Sequence, residues 1–383
     1  MADPARDPAD RWIVPLLGLA GFGVFALYYL GLLGGRPAYW PDTYEYALAA
    51  RALAETGKLL TDAPSVLEVW LLYRGTLPIP YFFHDVGNSL LLAASFRAFG
   101  STDFVIPLAS GLCFSLLPPT VFSLARRLFD RRAALLAAAL ACGSPQMITL
   151  SATGLSEVPA ALGLTAVVAL LLVRPGRMRS TVMSGAALGA LVLLRSNLAS
   201  CLPWFGAYVW ADAGVDEVKS SRRRWVRVSA FLLGFAAISF PSMLRSYTGV
   251  GRPLFTVASL YMPLFSTPAI DGESKSLFSR PGPPVDPLAY FMGRPWEMAR
   301  KAGLQFEGVI RELTHGGAGM RDGYALPILL FLFLLSGLAP PPAETTRQRR
   351  LRRLTYALMA TVFAVGPLFQ MRLRYLYPFL PLV

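Results

Sequence analysis

Phe104-Val-Ile-Pro-Leu-Ala-Ser-Gly-Leu-Cys-Phe-Ser-Leu-Leu-Pro-Pro-Thr-Val-Phe-Ser-Leu-Ala125 carries no charge and runs directly into Arg126-Arg-Leu-Phe-Asp-Arg-Arg132. An apolar run of roughly 20 residues crosses the ~30 Å hydrocarbon core as a helix, and an arginine block behind it marks the cytoplasmic side. The pairing recurs along the chain. Further basic blocks at Arg174–Arg179, Lys219–Arg227 and Arg347–Arg353 alternate with apolar runs, and with Arg6 and Arg11 the blocks hold 19 of the 36 lysines and arginines. The net charge of +13 therefore reads as membrane orientation and excludes a nucleic-acid binder. A hydrophobic content of 54% and a mean hydropathy of +0.48 exclude a soluble globule of this size.

Charge and hydropathy together predict nine spans, near 12–33, 104–125, 133–151, 158–173, 180–194, 198–211, 227–244, 324–340 and 354–371. A tenth starts at Tyr375-Leu-Tyr-Pro-Phe-Leu-Pro-Leu-Val383 and stops after a turn or two, so the chain reads as C-terminally incomplete. The first run is long for a signal-peptide core and is flanked by Asp3, Asp7 and Asp10 as well as Arg6 and Arg11, which favours an uncleaved span with a cytoplasmic N-terminus. The expected fold is all-α: one polytopic transmembrane bundle over 1–383, multi-pass in the plasma (bacterial inner) membrane. Cys113, Cys142 and Cys201 each sit in apolar sequence without metal-ligand spacing and read as buried thiols. The sequence contains neither a 20–50-residue repeat nor a pair of Gly/Pro-broken spans of the transporter kind.

Two outward connections, about 34–103 and 245–323, are too long to be mere connectors. The first holds two amphipathic stretches that should lie in the membrane interface. From Thr43 to Thr56, Tyr46, Ala47, Ala50, Leu53 and Ala54 share one helical face while Glu45, Arg51 and Glu55 take the other. Asp42 and Glu45 open that helix. As N-cap and N3 they would form a capping box; alternatively Asp42, held at the membrane edge, serves as a general base. The second stretch is entered through His84-Asp85, either an ordinary polar helix start or a proton carrier and substrate ligand. Glu157, in Ser151-Ala-Thr-Gly-Leu-Ser-Glu-Val-Pro159, stands at the apolar edge of the fourth span. A carboxylate there is costly and points to a role, although Pro159 beside it also suits a plain helix start. Arg245, Arg372 and Arg374 fall on the outer side, against the positive-inside trend. Pairing with a phosphate-bearing lipid explains them, and so does snorkelling. Tyr247 and Tyr375 stand beside these arginines as further substrate contacts.

The order of these parts resembles the GT-C membrane glycosyltransferases, in particular the bacterial branch related to protein O-mannosyltransferases and aminoarabinose lipid A transferases. The resemblance runs over about 12–383. It rests on one span followed by Asp42-Thr-Tyr-Glu-Tyr-Ala47, the helix after His84, Phe104-Val-Ile-Pro-Leu-Ala-Ser110, Ala125-Arg-Arg-Leu-Phe-Asp-Arg-Arg-Ala-Ala134, the stretch Pro241–Phe255 and Arg374-Tyr-Leu-Tyr-Pro378. It implies transfer of a sugar from a polyprenyl-phosphate donor to an acceptor on the outer face, by an inverting displacement. Asp42 matches the first-loop acid taken to activate the acceptor, and Glu157 a second acidic position that is usually Asp. His84 falls where relatives carry a basic residue or His before two prolines, replaced here by Asp85-Val86. Arg245-Ser-Tyr247 stands where they tend to have Arg-Asn-Tyr. A divalent cation among Asp42, Glu157 and His84 is left open. Two competing readings are a transporter or flippase, which would put ionisable groups at mid-bilayer, and an inactive membrane scaffold.

Overall fold

The computed structural model describes residues 10–36, 41–64, 68, 72, 75–173, 177–212, 221–253, 256–257, 289, 292–315 and 345–369. The fold is an all-α membrane bundle. Its helices are α1 (Asp10–Ala26, continued by a π-helical turn Leu27–Leu32), α2 (Pro41–Thr56), α3 (Val86–Phe99), α4 (Val105–Ala125), α5 (Arg131–Cys142) and α6 (Pro145–Thr153). They are followed by α7 (Glu157–Val173), α8 (Met178–Leu194), a 3-10 turn Ser196–Cys201, α9 (Leu202–Asp212), α10 (Ser221–Val250), α11 (Pro295–His315) and α12 (Thr346–Phe369). Among the described residues, the one departure from all-α is a pair of two-residue strands, β1 (Leu60–Thr61) and β2 (Ile79–Pro80), antiparallel within the first long connection.

Among the described residues, three helices are long and apolar enough to cross a bilayer: Asp10–Leu32, Val105–Ala125 and Ser221–Val250. The run expected as one span over 133–151 is two helices, α5 and α6, bent by 47°. The break has a local cause that hydropathy does not register. Pro145 takes the first helical position of α6, and Ser144 accepts the Met147 N–H at 3.4 Å as its N-cap, so a new helix starts where the old one stops. A second correction concerns α10. The span expected at 227–244 continues through Pro241 and Arg245 to Val250 and stops only at Gly251, which has φ 77° and donates its N–H to the Tyr247 carbonyl. The second long connection therefore begins after residue 250, and it contains the amphipathic helix α11. The eighth predicted span, the start of the tenth, and Arg372, Arg374 and Tyr375 lie outside the described residues.

One edge of the bundle collects the basic blocks. The buried Asp10 carboxylate accepts from Arg126 Nε at 3.1 Å and lies 3.5 Å from Arg131 Nε, which ties the start of α1 to the turn after α4. Gln348 donates to the Leu128 carbonyl at 2.6 Å and brings the first turn of α12 to the same turn. The helices α4, α7, α8 and α10 each carry a basic block at one end, and the other end lies toward the candidate residues. Buried apolar residues form two main cores, one among α1–α4, α6 and α7, the other among α7–α10 and α12. Cys201 is buried, while Cys113 and Cys142 are half-buried; all three are free thiols.

The contact between α8 and α10 depends on small residues. A Cβ on Gly185 would overlap the Phe231 carbonyl, one on Gly234 the Val182 carbonyl, and one on Gly189 would come within 2.7 Å of the Phe235 oxygen. Gly185 and Gly189 have the four-residue spacing that lets helix backbones approach in membranes. Gly185→Leu should therefore cost about 3 kcal/mol or more through overpacking, read as a lower melting temperature of the purified protein in detergent. An unchanged melting temperature would mean that α8 and α10 are not in contact there.

Candidate active site

Helix α6 ends at Thr153, and Gly154 follows with φ 71°. The carbonyls at such an end have no partner within the helix and need one from elsewhere. Here the partners come from the first long connection. Thr43 Oγ1 donates to the Thr153 carbonyl at 2.8 Å, and Asn88 Nδ2 donates to the Gly154 carbonyl at 3.1 Å. Both side chains are buried. These two bonds pin the first turns of α2 and α3 beside the start of α7. Gly87 adds a third constraint: a Cβ there would overlap the backbone at Leu193, so α3 crosses the end of α8 in direct backbone contact.

Four acids and two cations gather around this junction. Helix α2 begins at Pro41, which places Asp42 in its first turn rather than ahead of it. His84 Nε2 lies 2.8 Å from Glu45 Oε2 and 3.9 Å from Asp42 Oδ1. The imidazole packs against Tyr46, with centroids 5.0 Å apart, and against Phe83 at 4.6 Å. Burial disfavours the charged ring, yet hydrogen bonding to Glu45 and the negative fields of Asp42, Glu45 and Asp85 outweigh it, and the pKa of His84 is raised. Asp85 occupies the N-cap position of α3 without capping it; its carboxylate instead accepts the Ser196 N–H at 2.8 Å. Burial raises the Asp85 pKa, and that hydrogen bond opposes the rise. Glu157 Oε1 sits 3.0 Å from Arg195 Nη1, and both side chains are nearly inaccessible. Tyr46 joins the two halves of the site: burial first, and then the charges of Asp42 and Glu157, push its phenol upward.

Arg245, in the last turns of α10, stacks its guanidinium 4.1 Å over the Phe82 ring and donates to the Tyr81 carbonyl. With His84, Asp85, Ser242 and Ser246 it lines a narrow cleft. The structure thus brings Asp42, Glu45, His84 and Asp85 together, with Arg245 on the cleft that His84 and Asp85 share. Tyr247 is 59% exposed and is not part of this lining. Among the described residues, no group of three or more His, Cys, Asp or Glu side chains has metal-binding geometry. The Asp42–Glu157–His84 set does not fit a cation, because Glu157 faces Arg195 and His84 faces Glu45. Arg195 and Tyr46 were missed as site residues in the sequence. Arg195 carries the same signal as Arg245, an arginine at an outer edge.

Residues 86–243 match the model of the dolichyl-phosphate-mannose–protein mannosyltransferase family. The chain superposes on ArnT from Cupriavidus metallidurans bound to undecaprenyl phosphate with a TM-score of 0.55 at 17% identity, covering 98% of this chain and 59% of that one. The chain has the GT-C glycosyltransferase fold. The oligosaccharyltransferase of Archaeoglobus fulgidus, tethered to an acceptor peptide, shares it with a TM-score of 0.51 at 13% identity, covering 98% and 49%. The chain spans 59% of the length of the first of these proteins and 49% of the second. No curated protein sequence matches it. Within the GT-C frame, the family match starts at α3 and includes Glu157 and Arg195, while Asp42, Glu45 and His84 precede it and Arg245 follows.

Two outcomes follow from this geometry. Arg195→Ala strands a buried carboxylate and should cost about 3–5 kcal/mol; the double variant with Glu157→Gln should recover a large part, measured by thermal unfolding. His84 binds its proton more tightly in the folded state. The stabilisation it gives is complete below its ordinary pKa of 6.5 and is lost as the pH climbs through the raised folded value. Asp85 acts in the same direction, from 3.8 upward. The difference in melting temperature between the wild type and His84→Gln should accordingly shrink with rising pH above about 6.5. A difference independent of pH would remove His84 as the linked group.

Proposed function

We propose that the chain is a glycosyltransferase that moves a sugar from a polyprenyl-phosphate donor to an acceptor at the outer face of the membrane, with Asp42 as general base. The observation that carries this reading is the Asp42 carboxylate, 29% exposed, held 3.9 Å from a His84 already occupied by Glu45. It lies at the helix ends remote from the arginine blocks. The GT-C fold and the family match over 86–243 support the same chemistry.

The donor brings its own leaving group, so the protein must supply a base for the acceptor and positive charge for the departing phosphate. Asp42 takes the acceptor's hydroxyl proton while the oxygen attacks the anomeric carbon. The bond from that carbon to the phosphate oxygen breaks, and its electron pair leaves with the polyprenyl phosphate. His84, whose pKa its acidic neighbours raise, and Arg245 face one cleft and can share the phosphate charge. Glu45 holds the imidazole in place, and Glu157 with Arg195 fixes the start of α7 beside Tyr46. Single displacement by one base inverts the anomeric centre. Arg372, Arg374, Tyr375 and Tyr247 are proposed as further donor contacts.

Asp42→Asn, with an unchanged melting temperature, should lower sugar transfer by about 10²–10⁴-fold, assayed with labelled polyprenyl-phosphate sugar and membranes as acceptor source. Full transfer by that variant would refute the base assignment. Labelled donor moving into vesicles without any covalent product would point to a flippase instead.

A further inference from the structure

The first three turns of α10 carry a stripe that the site does not use. Arg222, Trp225, Val226, Ser229, Ala230 and Leu233 recur at helical spacing and line one open hollow of about 1030 Å³, with Met178 of α8 at its rim. The opposite face of α10, at Phe231, Gly234 and Phe235, is the one buried against α8. On the stripe, Trp225 is 59% and Leu233 70% exposed. Trp225 is held edge-on to Trp210 at 4.8 Å, and Arg224 lies 5.8 Å over the Trp210 ring. The hollow is therefore graded: arginine at its mouth, indole next, and aliphatic side chains beyond.

We infer that this hollow binds one anionic phospholipid, its phosphate at Arg222 and an acyl chain along Val226 and Leu233. Length supports this. From Arg222 to Leu233 the helix rises about 16 Å, the depth of one leaflet in a hydrocarbon core of about 30 Å. Chemistry supports it as well, because tryptophan settles at the headgroup level and guanidinium pairs with phosphate. Charge selects an acidic lipid over a zwitterionic one: Arg222, Arg223, Arg224 and Arg227 cluster in these turns, and α10 contains no acidic residue. This site lies at the helix end opposite Arg245 and is independent of the sugar-transfer reading.

The test is thermal unfolding of the full chain in detergent with added phosphatidylglycerol or phosphatidylcholine. Phosphatidylglycerol should raise the melting temperature by about 4 °C or more above an equal amount of phosphatidylcholine. At least half of that difference should vanish in Arg222→Gln combined with Trp225→Ala, a change on an exposed face that leaves the packing with α8 intact. Glycerol phosphate, the headgroup without chains, should reproduce none of it. Equal shifts with both lipids, or a full difference in the variant, would overturn the proposal. So would a doubling of particle mass abolished by Trp225→Ala, which would assign the face to a second copy of the chain.

Discussion

Two carbonyl groups at the end of α6 hold the candidate site together. A helix terminus buried in a membrane protein cannot leave its last carbonyls unpaired without a cost of several kcal/mol each. The chain answers with Thr43 and Asn88, one from each helix of the first long connection. Those two bonds hold the first turns of α2 and α3 against the end of α6. Once their first turns are fixed, Asp42, Glu45, His84 and Asp85 follow because they occupy those turns or the residues just before them. The left-handed Gly154 is what lets the chain leave α6 and begin α7 within a few residues, with Glu157 at its head.

The charges of the site are organised in opposed pairs. Glu45 faces His84, Glu157 faces Arg195, and Asp85 meets a backbone N–H. Isolated charges at a membrane edge are expensive, and pairing is the usual answer. The basic edge follows a different rule: there the one buried carboxylate of Asp10 serves two arginines at once. The bundle is thus polarised, with mixed-charge clusters at one end of its helices and arginine-rich turns at the other.

The sequence made the membrane class readable because it depends on a local feature, the recurrence of apolar runs. The wheel over 43–56 likewise matched burial: Tyr46, Ala47 and Ala50 are buried in α2. What escaped were features invisible to hydropathy. The break at Gly143-Ser-Pro145 lies inside a stretch whose mean hydropathy suits one span, and its signal is the Ser-Pro helix start, which hydropathy does not weigh. The end of α10 was set six residues early, because polarity rises at Arg245 while helical hydrogen bonding continues to Gly251. The pairing of Glu157 with Arg195 joins residues far apart in the chain, and the transfer of Asp85 from its own helix to Ser196 spans even more sequence. Single-residue reasoning named Asp42, His84, Asp85, Glu157 and Arg245, but their partners emerged only from the packing.

At 30 residues, α10 is about 45 Å long, roughly half again the thickness of the hydrocarbon it crosses. Its uncharged stretch, Val228–Leu244, is only about 25 Å long, so the arginine-bearing ends project past the hydrocarbon, and a bilayer of different thickness changes by how much. Because Arg245 rides near one tip and the arginine cluster anchors the other, hydrophobic mismatch becomes a depth gauge for the cleft. The height of the guanidinium relative to the phosphate plane is set by the membrane's thickness as well as by the fold.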